Sequence, residues 1–442
     1  MKKNHILADE RIDKLLLKLS LPAMLGMLTM ALYNIVDTIF IGRGVGTLGI
    51  AGLAICFPMQ MMVLGIGTTL GIGSASIISR AFGAKKFMKA DATFANAMFS
   101  VIVLSIFITI TSLIFINPII KLFGASPEIL PYAKEYLEII VIGTTFFVFA
   151  ITSNNIIRSE GHAKTAMGSM VISAILNIIF DPIFIFVFKM GIRGAAIATV
   201  LAQLITVIYH IYFYKSGKSI LKMQKLQFNP NVQKEIFTIG MASFARQIAT
   251  SILMIIFNNI LVVFGGIYVA VYAIINRILR FVYMPIFGIA QGMQPIVGYN
   301  YGAERNNLAK KTIKHAILYS SIVALLGFGF LYFFARQLFT IFTTDVEVIE
   351  KGVQATRMII LILPLAGFQI MGSTVFQSLG KPLPALFLTL TRQIIILIPL
   401  VMILPKFLGI NGVWVSIPIS EFLSALLTLI LFMGLIKKLN KQ

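Results

Sequence analysis

Asp37 and Asp181 are the residues of this sequence whose type and setting most demand a chemical reason. Each is a carboxylate inside a long apolar run, and an acid at membrane depth costs a few kcal/mol on insertion scales. Asn177 precedes Asp181 by one helical turn, on the same helix face, and Thr199 stands early in the next apolar run. Two carboxylates, an amide and a hydroxyl make a reasonable oxygen shell for Na⁺. Equally, two carboxylates held together in a low-dielectric setting resist both being charged, which makes a proton carrier. The residue types leave the choice of ion open.

Their spacing puts them at one level. Asp37 lies about four residues before the end of its run, and Asp181 about seven before the end of its own. Thr199 lies about five residues after the following run begins. At ~1.5 Å per helical residue, with the first and fifth runs crossing in one direction and the sixth returning, all three fall within a few ångströms of one depth.

The remaining polar residues inside apolar runs gather later in the chain: Arg246, Gln247, Asn258, Arg277, Arg280, Gln291, Arg392 and Glu421. They read either as a polar cavity lining or as structural pairs between helices. Pro22, about fifteen residues before Asp37, is a kink point for the first helix or plain punctuation of its first turn. The cluster Met24, Met27, Met30, Met59, Met61 and Met62 is adaptable surface or ordinary packing. Cys56 is the sole cysteine, so there is neither a disulfide framework nor a thiolate metal site. His5, His162, His210 and His315 show no metal-like spacing, and Glu138 reads as reaching a membrane interface. The glycines at 65, 67, 71 and 73 sit inside an apolar run, which indicates close helix packing rather than a phosphate loop.

These residues need membrane helices to position them. The 442-residue chain is 58% hydrophobic and 12% charged, half the charge of a water-facing domain at about 25%. Apolar runs give about twelve spans, near 15–41, 48–79, 93–117, 131–156, 165–188 and 194–214, then 236–264, 268–297, 312–335, 352–379, 383–404 and 411–436. Several exceed the ~30 Å hydrocarbon core, so tilt or bends at Pro22, Pro58 and Pro285 are expected. The formal charge of +21 is concentrated in alternate loops. It reads as a topology signal that puts both termini in the cytoplasm, with an even number of spans, rather than as a nucleic-acid surface. The opening stretch to Ser20 is amphipathic and without a cleavable signal pattern; it reads as a surface helix leading into the first span.

The chain repeats itself. Phe82-Gly83-Ala84 matches Tyr301-Gly302-Ala303, and Arg158-Ser159-Glu160-Gly161 matches Gln377-Ser378-Leu379-Gly380, both 219 residues apart. Gly191-Ile192-Arg193-Gly194 matches Gly409-Ile410-Asn411-Gly412 at 218. Six spans per half give a parallel repeat, the architecture of an alternating-access carrier. The division expected is a bundle over 1–214 bearing the cation residues, a linker over 215–235, and a second bundle over 236–442. Aligned on the repeat, Asn258 faces the position of Asp37 and Leu400 that of Asp181, so the acid pair belongs to one half only.

The segments Leu32 to Gly42, Asn154 to Gly161, Asn177 to Phe184 and Gln291 to Pro295 resemble the bacterial multidrug and toxic compound extrusion (MATE) family over nearly the whole chain. The resemblance implies an all-α integral membrane protein of two six-helix bundles, exporting drugs in exchange for Na⁺ or H⁺. It implies a cation site at Asp37, Asn177, Asp181 and Thr199, and a helix kink at Pro22. Some members carry acids in the seventh and tenth helices; this chain has none there, which favours coupling through the N-terminal half. The expectation is a cation-coupled antiporter in a prokaryotic plasma membrane, working as a monomer among membrane lipid on small-molecule drugs, with no nucleic-acid partner and no cofactor beyond the coupling ion. Two rivals stand beside it. A lipid-linked saccharide or lipid flippase would use Arg246, Arg280 and Arg392 on a pyrophosphate head group. An intramembrane transferase would need clustered acids for Mg²⁺ or a histidine site, and no acid-rich motif is present.

Overall fold

In a bilayer an apolar run satisfies its backbone internally only as a helix or a closed barrel, and this chain takes the first course throughout. The computed structural model describes residues 6–222 and 225–441; His5 and the rest of residues 1–5 lie outside that set, as do the side chains of Lys438 and Lys441. Among the described residues eleven helices are long and apolar enough to cross a membrane, and a bent pair, taken as one span, makes a twelfth. They are α1 (Ile12–Gly44), α2 (Thr47–Gly83), α3 (Phe87–Ile114), α4 (Leu130–Ile142 with Thr144–Ser159), α5 (Ala163–Val187) and α6 (Gly191–Lys215). Then follow α7 (Pro230–Phe264), α8 (Gly266–Gly302), α9 (Asn306–Phe342), α10 (Val346–Ser378), α11 (Pro382–Leu408) and α12 (Ile410–Lys437). Val263 and Phe407 are 83% and 78% exposed. Large apolar side chains are exposed along the helices, which makes a lipid-facing surface, not a water-facing one.

Several details depart from the expected helices. The helices run on through Pro22, Pro58 and Pro285 without a break, and a break bent by 54°, which the sequence does not announce, comes in α4 around Gly143. A Cβ there would stand 2.5 Å from Val200 of α6, so only glycine lets α6 pass so close. The amphipathic opening stretch is no separate surface helix either. From Ile12 it forms the first turns of α1, with Ile12, Leu15, Leu16 and Leu19 all buried.

The repeat is written into the backbone. Lys85 and Glu304 both adopt left-handed φ, at 56° and 60°. Both sit just beyond a helix C-terminus, where the next amide reaches back to close the last turn, Lys86 onto Ala81 O and Arg305 onto Asn300 O, each at 2.8 Å. That is the Schellman ending, which a non-glycine residue adopts at some cost. Gly161 and Gly380, Gly191 and Gly409, and Gly46 and Gly265 are also left-handed, at spacings of 219, 218 and 219.

The helices form two compact units, one of Met1–Met24 with Ala245–Gln442, the other of Leu25–Phe244. Within the first, the start of α1 lies directly on α8: a Cβ on Gly288 or Gly292 would come within 2.8 Å of the backbone of Met24 or Ser20. Within the second, the start of α7 crosses α2 as closely, Gly73 meeting the carbonyl of Ile236 and Gly240 that of Thr69. Small residues at crossings are how membrane helices gain packing where apolar burial alone supplies no drive. The second unit also straps down the segment between α6 and α7. Glu160 accepts from the Ser219 hydroxyl at 2.9 Å and the Ile220 amide at 2.6 Å. Asp91 accepts the Lys222 amide at 3.0 Å, and Asn96 Oδ1 the Asn229 amide at 2.7 Å.

Candidate functional site

The second half of α1 is anchored by apolar packing. Ile41, fully buried, packs with Ile185 and Ala195, and Phe40 meets Phe186 edge-on, ring centroids 6.2 Å apart. Gly44 has no room for a Cβ against Ile185. The surface they dock on is the last stretch of α5, where Ile183–Val187 winds into a π-turn immediately after Asp181-Pro182. Proline at 182 has no amide to give the preceding turn, and single π-turns of this kind recur at functional sites.

One turn back from Ile41, this anchoring carries Asp37 to Asp181. The two side chains stand within direct interaction range of each other, 8% and 0% exposed. Asn177, 2% exposed, donates through Nδ2 to Thr199 Oγ1 at 3.1 Å, which ties α5 to α6 at this level. Four buried oxygens here have no donor: Asp37 Oδ1, both carboxyl oxygens of Asp181, and Asn177 Oδ1. An ionised carboxylate buried without donors is strongly disfavoured. Such a group calls for a proton or a cation, and these unpartnered oxygens come from two helices, α1 and α5.

Two tyrosines also lie in electrostatic reach of the acids. Tyr33, one turn before Asp37, is electrostatically coupled to both acids, and Tyr136 of α4 to Asp37. Tyr136 in turn accepts from Gln60 Nε2 at 3.1 Å. Tyr33 was accessible to i, i+4 spacing on α1; nothing in the sequence marks Tyr136.

The polar residues singled out in the second half divide. Arg392 and Glu421 form an ion pair at 2.6 Å, with Tyr283 Oη directed at the same Glu421 oxygen at 3.5 Å and the Arg392 carbonyl accepting from Ser420 Oγ at 2.8 Å. Arg392 lies in a second π-turn, Thr391–Leu397. Arg246 is in electrostatic reach of Arg392, and Arg280 of Arg277. Gln247 contributes its carbonyl to Ser251, Asn258 is exposed, and Gln291 is half-buried. Pro22 is buried within α1, two residues before the boundary between the units. Among the described residues no three His, Cys, Asp or Glu side chains are grouped to hold a metal.

The sequence model of a family described as MatE matches residues 22–183 and 242–403. The multidrug export protein MepA of Staphylococcus aureus (strain NCTC 8325 / PS 47) is 26% identical over 422 residues, covering 95% of this chain and 93% of MepA. An outward-facing multidrug resistance MATE family transporter of the MOP superfamily superposes with a TM-score of 0.94 at 29% identity, covering 100% of this chain and 99% of that one. The MATE multidrug transporter DinF-BH, solved with a bound ligand, reaches a TM-score of 0.92 at 43% identity over 98% of this chain and 97% of its own.

Proposed function

The chain belongs to the MatE family of multidrug efflux transporters, and on that premise we propose that it exports small, often cationic or amphipathic drugs in exchange for Na⁺ or H⁺ at Asp37 and Asp181. The observation that carries the reading is the buried acid pair with its neighbouring donorless oxygens. Asn177 and Thr199 complete the oxygen shell.

Exchange works only if the ion binds the two states of the carrier with different affinity. A charge change on a buried pair supplies that difference, because the pair is tolerable at low dielectric only while neutralised. Asp37 is one turn from Ile41, whose packing holds α1 on α5 and α6. Loading or unloading the pair therefore shifts the packing of α1, with Pro22 as the point where the helix lacks a backbone hydrogen bond. The functional halves are 1–214 and 236–442, joined by 215–235. The excess of Lys and Arg in alternate loops supports a reading in which both termini are cytoplasmic, in a protein that sits in the plasma membrane lipid of a prokaryotic cell and works as a monomer.

The test is dye efflux from proteoliposomes under a Na⁺ gradient and a pH gradient imposed separately. One gradient should drive efflux, and Asp37→Asn and Asp181→Asn should each abolish it in inserted protein. Undiminished efflux in both variants overturns the coupling role of the pair.

A further inference from the structure

The second half of the chain carries unbalanced positive charge at membrane depth. Arg277 and Arg280 lie on one side of α8, and Arg246 and Arg392 on α7 and α11. At ~1.5 Å per residue each is at least about 15 Å along its helix from either end, farther than an arginine side chain extends toward an interface. One carboxylate, Glu421, accompanies them, and Arg392 already holds it at 2.6 Å.

Among the described residues no carboxylate forms an ion pair with Arg246, Arg277 or Arg280. Arg246 instead stands in electrostatic reach of Arg392, and Arg280 of Arg277, like charge against like. Turning Arg246 onto the free Oε2 of Glu421 leaves the cluster positive. Arg277 and Arg280 are also exposed on their own unit. A guanidinium cannot rest against acyl chains without a large cost, so these face water or an anion. Guanidinium groups are the side chains best suited to planar anionic groups, through paired charge-assisted hydrogen bonds.

The helices that carry them meet near this pair, Gln393 of α11 donating to Thr250 of α7 at 3.2 Å and Tyr283 of α8 to Glu421 of α12 at 3.5 Å, and we propose that Arg246, Arg277 and Arg280 form, with the Arg392–Glu421 pair, a site for the anionic group of an amphipathic ligand, a carboxylate, sulfonate or phosphate. This goes beyond the cation coupling above and rests on the transport reading only for the ligand's fate, not for its binding. The anion is either that of a free organic solute or that of a lipid head group.

The experiment compares 1-pyrenesulfonate with 1-pyrenemethylammonium, which share an apolar body and differ in charge. Equilibrium binding to the full-length protein is measured in phosphatidylcholine nanodiscs, with empty discs subtracted. The protein should bind the sulfonate saturably and more weakly as salt rises. Arg246→Gln with Arg280→Gln should lower the ratio of sulfonate to ammonium binding by about tenfold or more per arginine, and Arg246→Lys with Arg280→Lys should restore part of it. Variants are taken forward only if monodisperse. Should they aggregate, a carboxylate brought in by Tyr283→Glu must lower the same ratio. Repeating the assay with phosphatidylglycerol separates the sources: competition with the sulfonate assigns the site to lipid head groups, and indifference assigns it to free anions. An unchanged ratio in folded variants, or no saturable sulfonate binding by the unmodified protein, overturns the proposal. Asp37→Asn losing gradient-driven efflux while keeping sulfonate binding would bear on the coupling reading alone.

Discussion

Asn177 donates a hydrogen bond through Nδ2 to Thr199 Oγ1 at 3.1 Å, and that bond decides which way its amide faces. With Nδ2 committed to α6, Oδ1 is the atom left without a donor, one turn from Asp181. Thr199→Ala removes the acceptor and lets the amide turn. A neutral hydrogen bond of this kind is worth about 1 kcal/mol, so the ion concentration for half-maximal efflux should rise roughly fivefold. Thr199→Ser should stay near the original value. Titration of efflux against the driving ion checks both.

The acids act as one unit if they share one charge. Asp37 and Asp181 are each within electrostatic reach of the other, and groups that share an interaction do not contribute additively. Asp37→Asn with Asp181→Asn should therefore transport no worse than either single variant. A double variant with a loss equal to the product of the single losses would show two independent sites. Initial efflux rates at matched protein density separate the outcomes.

What could be read from the sequence, and what could not, follows from how each feature announces itself. Asp37, Asn177, Asp181 and Thr199 stood out because each is polar where its neighbours are apolar, and helical rise put them at one depth. Gly161 with Gly380 and Gly191 with Gly409 stood out as paired landmarks, because a left-handed turn selects glycine. Tyr136 did not, since an aromatic residue in an apolar helix has no contrast. The π-turns Ile183–Val187 and Thr391–Leu397 hide for a related reason: in an apolar run, one inserted residue leaves no mark on hydropathy. Gly143 looked like any other helix glycine. Its role depends on Val200 approaching from α6, a contact between segments far apart in sequence.

The crossing of α2 and α7 depends on the absence of two methyl groups. A Cβ on Gly73 would lie 2.1 Å from the Ile236 carbonyl oxygen, and one on Gly240 2.1 Å from that of Thr69. Backbone cannot yield as a side-chain tip does, and overpacking costs typically about 1–3 kcal/mol. Gly73→Ala and Gly240→Ala should each lower the apparent melting temperature by several degrees. Gly434→Ala, where nothing lies within 4 Å, should leave it nearly unchanged. Thermal-shift measurements in one detergent compare all three.

The Arg392–Glu421 pair should reward removal of both partners over removal of one. Glu421 is 7% exposed at the side chain and Arg392 26%, so a single neutral replacement strands a buried charge. Stranding a buried ion costs ~3–5 kcal/mol, whereas replacing the pair with apolar residues of similar size is often neutral. Glu421→Gln should cut the yield of monodisperse protein sharply. Arg392→Met with Glu421→Leu should recover most of it. Size-exclusion profiles after mild heating rank the variants.

The strap between α6 and α7 carries its own pH dependence. Glu160, outside the spans and 1% exposed, is raised from the ordinary value of 4.5 to about 7, chiefly by burial and in smaller part by the charge of Asp91. The hydrogen bonds from Ile220, Ser219 and Leu221 pull the other way and lose. An acid whose value is raised in the docked state binds its proton more tightly there. Docking therefore strengthens as pH falls from about 7 toward 4.5 and weakens as pH rises through about 7. His162, held below its ordinary value by burial, works in the opposite sense as it protonates, so the Glu160 contribution must be isolated by substitution. In hydrogen exchange corrected for intrinsic rates, the amides of Ile220 and Leu221 should be about thirtyfold better protected at pH 5.5 than at pH 8, because between about 7 and 4.5 one proton changes the docking equilibrium by close to tenfold per pH unit. Glu160→Gln should remove that difference while leaving the amides of the α2–α7 crossing unchanged. A pH difference that survives in Glu160→Gln would move the sensor to another group.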